Sequence, residues 1–144
     1  MRIEVVIERK APYALVLLRI ASGLVFLEHG TQKFFGFPGG DYAGSGWTLD
    51  NPAAFAGIVE LVAGALITIG LFTRPAAFLA SGTMAVAYWM AHAPNNFFPV
   101  NNGGDAAILY CFVFLYLVFT GPGALSVDGL RTKTRPADGE NVNA

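Results

Sequence analysis

The chain has 144 residues, enough for one domain and no second. It is 54% hydrophobic and 13% charged, against about 25% charged in a typical soluble domain, so it has too few charges to coat a soluble globule. A net charge of −1 argues against a nucleic-acid surface, and a single cysteine, Cys111, excludes an internal disulfide, a CxxC redox pair and zinc-finger spacing.

The opening "MRIEVVIERK" alternates apolar and polar residues and reads as a short extended arm. A bilayer core of about 30 Å requires roughly 20 mostly apolar helical residues. Four segments come close. The first, residues 13–35, is interrupted by Arg19, Glu28, His29 and Lys33. It is not a cleaved signal peptide, because a charged Glu-His pair stands where a small-residue cleavage site belongs. The next loop, "GGDYAGSGW", is glycine-rich, but neither a preceding strand nor a following Gly-Lys-Ser/Thr makes it a phosphate loop. Trp47 in it suits a membrane interface.

The second segment, residues 52–72, opens on Pro52, where the missing N–H costs nothing. Thr73-Arg74 then links it to a third, residues 75–93, forcing an antiparallel hairpin. The following loop, "APNNFFPVNNGGD", reads either as a plain polar turn or as a cap over a polar ligand. The fourth segment, residues 105–120, is closed by Gly121-Pro122-Gly123. The fold expected is all-α: an integral membrane four-helix bundle, one domain over residues 1–130 with a polar, disordered cytoplasmic tail over 131–144. Seven Lys and Arg residues (Arg2, Arg9, Lys10, Arg74, Arg131, Lys133 and Arg135) fall on one side of such a bundle and only Lys33 borders the other, which puts both termini in the cytoplasm.

Helical periodicity assigns faces. Arg19, Gly23, Phe26 and Gly30 share one stripe of the first helix; Ala53, Gly57, Glu60, Gly64 and Thr68 share one of the second. A buried charge needs a partner, so the simplest reading is a structural ion pair between Arg19 and Glu60. Glu28, with Gln32 one turn on, points the opposite way. On the third helix Gly82, Ala85, Trp89 and His92 form a stripe; on the fourth, Asp105 stands above Leu109, Phe112 and Tyr116. Each polar group has a bland explanation: His92 lies near the interface, Lys33 can snorkel, and Asp105 can be a helix cap. Together, Glu28, His29, Lys33, His92 and Asp105 crowd the outer half and suggest an outward-facing polar ligand pocket floored by the Arg19–Glu60 pair.

"LLRIASGLVFLEHGTQKFFG", then a glutamate in a small-residue helix, "GIVELVAGALITIGLFTRPAA", then "NNGGDAAILYCFVFLYLVFTGPGALSVD" resembles the DoxX family over residues 17–128. One departure is Asp105, where the family typically has a glutamate. The resemblance implies a small four-helix protein of the bacterial inner membrane. It also implies association with quinone-dependent oxidation or oxidative-stress complexes.

Two functions remain open on the residues. The first is a membrane subunit of a quinone-linked oxidoreductase. Phe26, Trp89 and Phe112 would supply an apolar slot, with Glu28, His29 and His92 exchanging protons. It would need a redox partner protein; a haem held by His29 and His92 is the disfavoured variant. The second is a non-enzymatic anchor or assembly factor. A small transporter, which would have to form a homo-oligomer, ranks below both. No metal site is expected.

Overall fold

The computed structural model describes residues 2–48 and 50–133, and its regular structure there is helical. The elements are α1 (Arg2–Phe35), a 3-10 turn (Ser45–Trp47), α2 (Pro52–Ile69), α3 (Thr73–Ala87) continuing as a π turn (Tyr88–His92), α4 (Pro99–Asn102), α5 (Asp105–Thr120) and α6 (Val127–Lys133). The stretch Val5–Phe35 of α1 and the whole of α2 are long and apolar enough to cross a membrane, and α5 is a shorter apolar helix. The tail expected over 131–144 begins inside α6, and its part from 134 on lies outside the described residues.

The expected extended arm is instead the start of α1. The 34 residues of that helix extend about 51 Å, well beyond a hydrocarbon core of about 30 Å. Residues 5–14 are exposed, so their alternation has no sheet to join, and Glu, Arg, Lys and Ala favour the helix. Pro12 lies in this stretch, where water can satisfy the carbonyl it leaves unpaired.

Asn51 starts α2 by accepting the Ala53 N–H at 2.9 Å. Gly70 stops it three residues before the expected end: its φ of 72° is left-handed, and Leu71 N–H returns to Leu66 O at 2.9 Å. Phe72 is also left-handed and offers no cap of its own to α3. The cap comes from Asp128, which accepts from the N–H groups of Phe72 and Thr73 at 2.9 Å each and from the Thr73 hydroxyl at 3.0 Å.

Antiparallel α1 and α2 pack through glycines. A Cβ on Gly23 would meet Thr68 Oγ1 at 2.6 Å, one on Gly30 would meet Leu61 N at 2.7 Å, and one on Gly64 would meet Leu27 N at 2.8 Å. These are the small-residue stripes the sequence indicates. The core continues through Ile67 of α2, Ala77, Ala80 and Met84 of α3, and Phe114 and Leu117 of α5. Phe26 crosses from α1 to α5, 4.8 Å from the Phe114 ring and 5.4 Å from Tyr110.

On α3 and α5 the faces differ from expectation. α3 buries Ala76, Ala77, Ala80, Ser81 and Met84, while Gly82 faces open space and Trp89 is exposed. α5 buries Ala107, Phe114 and Leu117, leaving Asp105, Leu109, Phe112 and Tyr116 on the surface. α5 is nearly all apolar, so periodicity gives no contrast with which to choose its face, and on α3 the buried stripe is made of small residues, Ala76, Ala77, Ala80 and Ser81, rather than large apolar ones.

Candidate functional site

Glu60 does not pair with Arg19. Its carboxylate oxygens lie 2.5 and 2.6 Å from Lys33 Nζ, both side chains being largely buried. The helix register explains the difference. Gly30 lies against Glu60 and Leu61, and Gly23 against Thr68, so Arg19 falls level with the far end of α2. Eleven residues separate Arg19 from Gly30, which is about 16 Å along the helix. Lys33 is one turn beyond Gly30, and its stem crosses Gly57, where a Cβ would come within 3.2 Å of Lys33 Cδ.

Arg19 is 1% exposed and belongs to the opposite end of the bundle. Its Nη2 donates to Leu125 O at 2.7 Å. Its Nη1 lies over Gly70, in the space a side chain there would fill, and Nε and Nη1 have no hydrogen-bond partner among the described residues. Asp128 is near enough to act on it electrostatically. Arg19 thus helps fasten the segment after α5 to the α2–α3 turn, where Asp128 N–H also donates to Gly70 O at 2.9 Å.

Glu28 and His29 share a cleft of about 200 Å³ with Val25, Gln32 and Pro38. It lies on the side of α1 turned away from α2, because Glu28 and Gln32 flank Gly30 by half a helical turn. The first loop folds back to form its outer wall. Gln32 Nε2 donates to Gly39 O, Thr31 Oγ1 donates to Phe37 O at 3.1 Å, and Gly36 and Gly44 N–H donate to Gln32 O at 3.0 and 3.3 Å. Trp47 secures the loop from the other side, donating from Nε1 to Phe34 O at 2.7 Å with its ring edge-on to Phe34.

Of the five pocket candidates, the structure brings Glu28 and His29 together. Lys33 is engaged by Glu60. His92 sits at the end of the π turn, its Nδ1 3.1 Å from Asn102 O. Asp105 opens α5 on its exposed face, outside the cleft lining. The aromatic slot does not form either: Phe26 is fully buried in the core, while Trp89 and Phe112 face outward. Asn95, Asn96 and Asn102 of the third loop serve the loop itself. Asn102 donates to Asn96 O and accepts from Gly104 N–H, Asn96 accepts from Phe98 N–H, and Asn95 donates to Ala91 O. This is the polar-turn reading.

Tyr110 is the neighbour sequence reasoning missed. Its ring is perpendicular to that of His29 at 5.9 Å and stacks on Phe114 at 5.6 Å, and it lies within the electrostatic reach of Glu28 and Glu60. Its spacing with Ala107, Phe114 and Leu117 is helical, but α5 is so uniformly apolar that the sequence does not single this face out. Chemically, the cleft offers a carboxylate and an imidazole beside an apolar wall, with a phenol ring behind the imidazole.

The DoxX family model matches residues 14–93. An uncharacterized protein of Haemophilus influenzae is 45% identical over 125 residues, covering 85% of this chain and 93% of its own. The inner membrane protein YphA of Escherichia coli is 37% identical over 130 residues, 81% of this chain and 89% of that one. An uncharacterized membrane protein of Mycobacterium tuberculosis, Rv3486, is 33% identical over 149 residues, 90% of this chain and 88% of its own. No solved structure matches the chain.

Proposed function

The chain belongs to the DoxX family of bacterial inner-membrane proteins with helical spans, and from that premise we propose that it is the membrane subunit of a quinone-linked redox complex, receiving a quinone head in the Glu28–His29 cleft. The observation that supports this reading most is the pairing of two proton-exchanging groups with apolar walls on the outward side of α1. A quinone head is a flat, largely apolar ring with an oxygen at each end. It requires an apolar surface and a donor near an oxygen.

Val25 and Pro38 fit the ring surface. His29 fits the donor, since an imidazole ring carries one N–H that donates and one nitrogen that accepts. Glu28 fits a proton acceptor beside it. Gln32 holds the loop through its amide, which leaves the donor role to His29. Val25, Glu28 and His29 are exposed on the helix surface, so entry would be from the side of α1 rather than through the core. A bound quinone supplies electron transfer; Glu28 and His29 carry protons only, so turnover requires a partner protein that delivers or removes electrons.

A second reading, a non-catalytic anchor or assembly factor, is favoured by the third loop. Phe97 is 85% exposed there, and Phe98 and Val100 are also exposed, an arrangement that suits contact with another protein. Lipid extraction of the purified protein with mass spectrometry, together with an absorption spectrum, separates the two. A co-purified quinone supports the redox reading. Its absence, with a stoichiometric protein partner retained, supports the anchor.

A further inference from the structure

We propose that the cytoplasmic end of the bundle, opposite the Glu28 cleft, holds a site for an anionic phospholipid, taking its phosphate head and the start of an acyl chain. A cavity of about 380 Å³ opens between the α2–α3 turn, the end of α5 and α6. Phe72, Pro75 and Pro122 give it apolar walls, and Arg74, Asp128 and Thr132 supply polar groups. Arg74 is exposed and held in place, Nη1 donating to Val118 O at 2.5 Å and to Phe119 O at 2.8 Å. Its Nε and Nη2 make no hydrogen bond within the described residues and remain free to donate to a phosphate. Arg131 adds a second cation, 5.3 Å from the centroid of the Phe72 ring.

Asp128 is the acid in this lining, and its charge is already engaged. One oxygen accepts from Phe72 N–H, the other from Thr73 N–H and the Thr73 hydroxyl. Two cations, Arg74 and Arg131, the latter also acting on Asp128, stand against this one acid at the mouth. By the distribution of Lys and Arg this end faces the cytoplasmic leaflet, whose anionic lipids attract basic groups beside helix ends. Phe72 and Phe119 are exposed next to it, offering apolar surface that an acyl chain covers and a free phosphate ion has no use for. Cation and apolar wall together therefore favour a lipid over a soluble anion.

The test is thermal unfolding of the full chain in detergent after delipidation, with dihexanoyl phosphatidylglycerol, dihexanoyl phosphatidylcholine or inorganic phosphate added. Binding to the folded state raises Tm. The expected result is a rise with phosphatidylglycerol, little with phosphatidylcholine and none with phosphate. Arg131→Gln should weaken the apparent affinity for phosphatidylglycerol about fivefold, the contribution of one cation at an anionic surface. Thr132→Phe, which blocks the cavity from an exposed position without changing charge, should abolish the rise. Equal shifts with the two lipids would overturn headgroup recognition. An equal shift with inorganic phosphate would make the site one for a soluble anion. A phosphatidylglycerol shift unchanged in both variants would remove the site from this cavity.

Discussion

Lys33 and Glu60 form a two-pronged ion pair across α1 and α2, with N–O distances of 2.5 and 2.6 Å. Removing one partner strands the other charge in a low-dielectric setting, at a cost of about 3–5 kcal/mol. Lys33→Met and Glu60→Leu should therefore each lower the yield and Tm of folded protein, and the double substitution should recover much of the loss. Arg19→Leu combined with Glu60→Leu should instead be additive to within about 0.5 kcal/mol, because the two residues share no partner. Thermal unfolding of all five variants reads both cycles.

The glycines make a second prediction. Gly57→Ala would bring a Cβ within 2.9 Å of the Phe34 ring and 3.2 Å of Lys33 Cδ, and Gly30→Ala would bring one within 2.7 Å of Leu61 N. Both should destabilise, Gly30→Ala more, because backbone yields less than a side chain; overpacking of this kind costs about 1–3 kcal/mol. Gly82→Ala has nothing within 4 Å and should be neutral, or stabilising by up to about 1 kcal/mol through helix propensity. The ranking of the three Tm values is the measurement.

Asp128 gives the acid limb of stability. Burial raises its carboxyl pKa, but the N–H groups of Thr73 and Phe72, the Thr73 hydroxyl and Arg131 more than offset this, leaving it below the ordinary aspartate value. A group depressed in the folded state stabilises fully above its unfolded pKa of about 3.9 and loses that contribution as pH falls through the lower folded value. The latch should therefore hold at neutral pH and weaken below about pH 4. Asp128→Asn should lower Tm at pH 7 and flatten its fall on acidification. Parallel wild-type and variant profiles of Tm against pH would contradict this.

Topology makes a fourth prediction. Reporter fusions at Ala11 and after the C-terminus should report cytoplasm, and fusions at Gly44 and Asn101 the opposite side, following the seven-to-one division of Lys and Arg.

Much of the fold was legible because a membrane constrains it strongly. Pro52, the Gly121-Pro122-Gly123 stop and the hydropathy of each segment mark the helices, and the glycine stripes of α1 and α2 identify their shared face; α3 instead begins at Thr73, ahead of the proline expected to open it, because Asp128 caps it from a distance. Register was not legible. Periodicity says that Arg19 and Glu60 lie on packing faces but not how far one helix slides along the other, so the sequence assigns Lys33 to the polar pocket and leaves no sign that it is the partner of Glu60. The true acceptor for Arg19 is the backbone oxygen of Leu125, 106 residues away, and a carbonyl leaves no mark in the sequence. For the site, the shared direction of Glu28 and Gln32 was readable from α1 alone. The positions of His92 and Asp105 depended on the faces of α3 and α5: α3 packs through small residues that carry little hydrophobic signal, and α5 is uniformly apolar, which conceals direction. Tyr110 was hidden for the same reason.

Glu28 and His29 are proposed to receive a quinone head on the outer side of α1, and ligand-induced stabilisation reads that binding. Thermal unfolding in detergent, with and without a short-chain quinone, should show a concentration-dependent rise in Tm for the wild type. The rise should shrink in Glu28→Gln and His29→Ala. These residues are exposed, so both variants should fold with Tm near the wild-type value in the absence of quinone. His92→Ala and Asp105→Asn, outside the cleft, should keep the full rise. No rise in the wild type at saturating quinone, or a rise left intact in both Glu28→Gln and His29→Ala, would contradict quinone binding in this cleft.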